Sequence, residues 1–120
     1  MADLICVSIC IETVYQREYT YTTINGKTYA KSMMVVAGSS KNVKSATKIS
    51  TTLTDKVNKH ANGIMKDVMT RKEAYYNQYV CKGVILMECG SENNSFEEVK
   101  NTLEVVAVGI DEMLKEGLNI

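Results

Sequence analysis

Two strand-like runs flank Asn25-Gly26, and few dipeptides constrain a fold as tightly. A type I′ turn needs positive φ at both central positions, which asparagine and glycine reach at low cost. The turn also sets a pairing frame, with Ile24 opposite Lys27, Thr22 opposite Tyr29 and Thr20 opposite Lys31.

Upstream of the turn, alternation of side-chain character holds its phase from Ile5 to Tyr21. A period of two that never slips predicts one long strand, or two strands joined by a bend that keeps phase. A bend or bulge is expected near Gln16-Arg17. The return strand, Thr28 to Ala37, can pair only with the half from Val14 to Thr23, so the first half, Leu4 to Glu12, needs another neighbour. Tyr79 to Cys89 supplies it, because Val84-Ile85-Leu86-Met87 is the continuous apolar run of a strand buried on both faces.

Between these strands a helix is predicted from about Lys41 to Arg71, entered through Gly38-Ser39-Ser40. Val43, Ala46, Leu53, Val57, Ala61, Ile64 and Val68 share one face at helical spacing, and Lys41, Lys44, Lys48, Lys56, Lys59 and Lys66 the opposite one. Thr51-Thr52 and Gly63 mark places where it could kink or break. A second helix opens on a capping box, Ser95 with Glu98, and stops at Gly117. Its stripe is Phe96, Val99, Leu103, Val106, Ile110, Met113 and Leu114. Val105 and Val108 lie off that stripe, so its middle is apolar around much of its circumference and wants cover on two sides.

The summed order is β-β-α-β-α, an α+β fold in a single domain over residues 1–120. A crossover through the long helix makes the second and third strands parallel and puts the first between them, antiparallel to both. The expectation is a three-stranded, mainly antiparallel sheet with a long projecting hairpin and two helices on one face.

Formal net charge is zero, which removes a strong whole-molecule field, yet the charge is lopsided. Residues 1–82 carry twelve Lys or Arg against six acids, and residues 83–120 carry two against eight. Four cysteines, Cys6, Cys10, Cys81 and Cys89, form no C-x-x-C, so they read as buried thiols with no metal site and no cofactor. Asp3 precedes only a short apolar run, Leu4 to Ile11, too short for a membrane span and without a secretory leader pattern. Those features fit a protein kept in a reducing cytoplasm, host cytoplasm or virion included.

Catalytic residues are not indicated. His60 is the single histidine, at the edge of the long helix's apolar stripe, where a boundary residue bonded to a neighbour is the natural reading. Phosphate loops, dinucleotide fingerprints, zinc-protease motifs and nucleophile elbows are all absent from the sequence. What remains is surface. Tyr15, Tyr19, Tyr21 and Tyr29 concentrate in the hairpin, and tyrosine is enriched at interface cores. Together with Val105 and Val108 they form the expected interface of a non-enzymatic, self-assembling structural or accessory protein, a homo-oligomer of viral or mobile-element type. The alternative is a binding module for an anionic ligand, nucleic acid or nucleotide, with Lys44, Lys48, Lys56 and Lys59 meeting phosphates. That stripe lacks arginine and interleaved aromatics, which disfavours nucleic acid and fits a solvated helix face or an acidic partner surface.

Overall fold

The computed structural model describes residues 5–12 and 16–120. Its elements run β1 (Cys6–Glu12), a 3-10 turn (Arg17–Tyr19), β2 (Tyr21–Ile24), β3 (Lys27–Ala30), β4 (Ser32–Ala37), α1 (Val43–His60), β5 (Met69–Arg71), β6 (Val84–Ser91) and α2 (Phe96–Glu116). The α+β class stands, with a four-stranded sheet in the order β1-β6-β4-β5 and a separate two-stranded ribbon, β2-β3.

The turn reads as the sequence says. Asn25 and Gly26 take φ of 50° and 79°, and Ile24 pairs with Lys27 and Thr22 with Tyr29. Lys31 donates its N–H to the Thr20 carbonyl at 2.8 Å. The expected bend is the 3-10 turn just after Gln16, and there the long run parts into strands of two different sheets. The return run parts as well, at Lys31, into β3 and β4. Facing changes phase at both breaks, since Val7 and Tyr29 pack on the core from odd positions of β1 and β3, whereas Ile24 and Met34 do so from even positions of β2 and β4.

Three expectations about the sheet are corrected. It has four strands where three were expected, because Met69–Arg71 adds an edge beside β4. The crossover therefore belongs to β4-α1-β5, whose strands are parallel, while β6 runs antiparallel to β4 and parallel to β1. The first strand accordingly lies at an edge and not in the middle. Lastly, the hairpin does not project. It lies along α2, where Asn101 Nδ2 donates to the Thr28 carbonyl at 2.9 Å and Thr102 Oγ1 to the Ala30 carbonyl at 2.6 Å. Lys27, beside the turn, still reaches Glu104 at 3.7 Å.

The long helix ends at His60, short of Gly63 with its φ of 95°. Thr51 and Thr52 remain helical. Beyond the helix the Asn58 side chain brackets Met65, accepting its N–H at 2.9 Å and donating to its carbonyl at 3.0 Å. That bracket holds the chain where Ser32 pairs with Met65. In α2 both arms of the capping box form, and Gly117 closes the helix at φ 85°.

Both helices cover one face of the sheet. Met34, Ile85 and Met87 from the strands meet Ile49, Leu53 and Val57 of α1 and Val106 and Met113 of α2 in one core. Gly109 lets the helices close up, since a Cβ there would stand 3.0 Å from Leu53 Cδ1. In the apolar middle of α2, Val106 is buried and Val105 packs on the core, while Val108 stays half-exposed. On the sheet's other face lies a smaller apolar group, Met33, Val35 and Leu86.

A polar cleft at the end of the central strand

Strand β6 is apolar from Val84 to Met87, and then Glu88 interrupts it. Glu88 pairs with Cys10 of β1 and Met33 of β4, so its side chain shares the face of Leu86, away from the helices. Only 11 % of that side chain is exposed. From the edge strand β5, Arg71 reaches over the sheet and places Nη2 3.2 Å from Glu88 Oε1. A carboxylate on a central strand loses hydration it can recover only through such a partner.

Just past Glu88 the strand is bent by Gly90 at φ 76°. A side chain there would meet Asn94 Oδ1 at 2.8 Å and Ala30 Cβ at 3.1 Å, so glycine answers both the backbone and the space. The pairing of β1 with β6 shifts register between Cys10 and Glu12 at this level. Ser91 then turns the chain into α2, its N–H donating to Asn94 Oδ1 at 2.8 Å. Asn94 Nδ2 donates to the Thr20 carbonyl at 2.9 Å and to Glu98 Oε1 at 3.1 Å.

Glu98 ties this corner together. Arg17 grips it with both terminal nitrogens, at 2.6 and 2.5 Å, and also donates to the Asn93 carbonyl at 3.1 Å. The Ser95 N–H adds a bond at 3.0 Å. Hydrogen bonding from Arg17, aided by Asn94 and the Ser95 backbone, outweighs burial and lowers the Glu98 carboxyl to about 2. The Arg17 guanidinium also stands 4.3 Å from the centre of the Tyr21 ring.

Thr20, Lys31, Lys66, Glu88, Ser91 and Asn94 line one cleft at this end of the sheet. It joins a carboxylate fixed by Arg71 with two lysines, two hydroxyls and a carboxamide. The space it encloses is about 10 Å³, room for about one water molecule, so any larger ligand would lie across its rim. Cys89, next in sequence to Glu88, points the other way into the core, and burial raises its thiol. Among the described residues no group of three or more His, Cys, Asp or Glu could hold a metal ion.

The residues singled out from sequence lie elsewhere. Tyr15 falls outside the described residues. Tyr19 is 59 % exposed beside the 3-10 turn and Tyr21 lies under Arg17, while Tyr29 packs against the core. Val105 also packs on the core, and Val108 is 47 % exposed. On α1, Lys44, Lys48 and Lys59 are exposed. Lys48 donates to the Asn119 carbonyl and Lys56 pairs with Glu116 at 2.8 Å. His60 Nε2 meets Glu112 Oε1 at 2.8 Å. The lopsided charge is therefore spent partly inside the chain, between α1 and α2. Of the four cysteines only Cys89 is buried; Cys6, Cys10 and Cys81 are exposed. The one signal in the sequence that marks the cleft is the acid closing the apolar run Val84–Met87.

A family model described as stage II sporulation protein P (SpoIIP) matches residues 12–111. No curated protein and no solved structure matches the chain. The family points to bacterial sporulation, and this overturns the expectation of a viral or mobile-element structural protein together with its lysine-face alternative. Part of the charged surface that suggested them is taken up between the helices, where Lys56 meets Glu116 and His60 meets Glu112. Because the match runs from the last residue of β1 into the last third of α2, the chain belongs to the stage II sporulation protein P family.

Proposed function

We propose that this chain serves bacterial sporulation as a non-catalytic binding domain, and that the cleft around Glu88 is its recognition site. One observation carries the proposal: a carboxylate, 11 % exposed, on an otherwise apolar central strand, held by an arginine from another strand. A part-buried ion pair is weak as a stabilising device compared with well-packed apolar residues, so its place here fits use in recognition. Lys31 and Lys66 on the rim favour an anionic group, and the Glu88 carboxylate favours an amine or amide N–H. A short acidic peptide with a free amine has that chemistry, which is the chemistry of a cell-wall stem peptide.

A non-catalytic role is supported by where the reactive groups lie. The sole histidine sits at the C-terminal end of α1, bonded to Glu112 and not lining the cleft. The nearest cysteine in sequence, Cys89, faces the core with its thiol raised.

Titration of soluble cell-wall stem peptides, followed by amide chemical shifts, tests the reading. Shifts are expected at Lys31, Lys66, Glu88 and Ser91, with binding weakened about tenfold or more in Glu88→Gln and in Lys31→Ala. Peptides returned intact are also expected. Binding unchanged in both variants would remove the cleft as the site, and turnover lost in Glu88→Gln would make it catalytic.

A further inference from the structure

Among the described residues, strand β1 has a neighbour on one side only, β6. Cys6 donates its N–H to the Gly83 carbonyl at 2.9 Å, so in this parallel ladder Cys6, Ser8 and Cys10 turn their backbone groups toward β6. Val7, Ile9 and Ile11 therefore turn theirs to the open edge. Their side chains lie on the helix-covered face, in line with Ile85 and Met87. Val7 packs on the core, but Ile9 is 53 % and Ile11 57 % exposed.

Natural sheets blunt such edges with lysine, proline or a covering element. From Cys6 to Ile11 this edge carries no charge and no proline. Its sequence is also self-complementary about Ile9. In an antiparallel pairing of two copies, Ile9 meets the partner's Ile9, and Val7 meets the partner's Ile11. All three pairs are then hydrogen-bonded pairs, because these are the residues whose N–H and C=O face outward. Three pairs exchange about six hydrogen bonds by that rule. The six aliphatic side chains form one ladder that continues the core face, and Ser8 meets the partner's Cys10 on the other face. A slip of one residue would set outward-facing groups against inward-facing ones, and a slip of two toward the N-terminus would instead pair Ile5 with the partner's Ile11 and set Ser8 against the partner's Ser8, an arrangement that the cross-linking below separates from this one.

We infer that β1 pairs antiparallel with β1 of a second copy about a two-fold axis at Ile9, joining two four-stranded sheets into one. The contact is isologous, so it closes at two copies and leaves no edge for further growth on that side. It is independent of the cleft, which opens at the end of β6.

Light scattering on the whole chain is expected to give the mass of two 13.4 kDa chains at micromolar concentration. Ile9→Lys, which places two ammonium groups opposite each other on the axis, is expected to halve that mass with far-UV circular dichroism unchanged. A second test does not depend on that variant folding. Residues opposed in a non-hydrogen-bonded pair have Cα atoms about 4.5 Å apart, within disulfide range. Ser8→Cys, in a chain carrying Cys6→Ser and Cys81→Ser, should thus form a disulfide with the partner's Cys10 on oxidation. Adding Cys10→Ser should abolish that link. A wild-type chain at single-chain mass overturns the inference, and so does a dimer that survives Ile9→Lys or fails to cross-link through Ser8→Cys.

Discussion

At the scale of single residues, three side chains act where backbone would ordinarily act. The Gln78 carboxamide accepts the Ala37 N–H at 2.8 Å and donates to the Val35 carbonyl at 2.9 Å, standing in for a strand along the end of β4. Asn58 does the same for Met65, and Asn94 for Ser91 and Thr20. None of these is legible in the sequence, because an isolated Asn or Gln in a polar loop carries no periodic signal. Glu98 was legible only as half of a capping box; its grip on Arg17, 81 positions away, was not. That grip has a pH consequence. A carboxyl lowered to about 2 in the fold, against an ordinary value of 4.5, stabilises fully above 4.5 and loses its contribution as pH falls from there toward 2. The Arg17 side chain is 48 % exposed, and Asn94 and the Ser95 N–H hold the carboxyl as well, so Arg17 supplies only part of that contribution. Denaturant unfolding should show the wild type more stable than Arg17→Ala at pH 6, with the difference shrinking as pH falls toward 2. Equal slopes against pH in the two proteins would show that the ion pair does not set the acid response.

Among the elements, those with a local chemical signature were readable and those made by distant pairing were not. The Asn25-Gly26 turn and the Ser95/Glu98 box each need a particular residue at a particular step, and both occur where the sequence places them. By contrast, β5 is three residues, Met-Thr-Arg, with no pattern to announce it. Its existence follows from α1 stopping at His60 and leaving chain enough to return beside β4. The parallel sense of β1 and β6 followed from a break in the ribbon that alternation could not report. Helix contact is where a single substitution tells most. With a Cβ at Gly109 only 3.0 Å from Leu53 Cδ1, Gly109→Leu must push α2 from α1. Overpacking of this kind costs about 1–3 kcal/mol, readable as a lowered midpoint in thermal or chemical unfolding. An unchanged midpoint would mean that the helices slide freely over one another.

Taken whole, the molecule divides into a sheet and helices that share a core and a ribbon that leans on them. Among the described residues, the β2-β3 pair has no strand ladder to the main sheet. It is held by Tyr29 and Ile24 against the core and by three carbonyls, of Thr20, Thr28 and Ala30, that accept from Asn94, Asn101 and Thr102. Those bonds can break without unpairing β4 from β6. Amide hydrogens of Thr22 to Tyr29 should therefore exchange by local opening, at a free energy below that of Ile85 and Met87, which should exchange only with global unfolding. Asn101→Ala should speed exchange in the ribbon and leave β6 unchanged; equal acceleration in both would make the chain a single cooperative unit. The same construction sets where the protein can tolerate change. A ribbon fastened by side chains of α2 to its own main chain asks little of its own side chains on the outer face. Its exposed positions can drift in sequence while the docking survives, provided that three residues of α2 and its entry stay as they are.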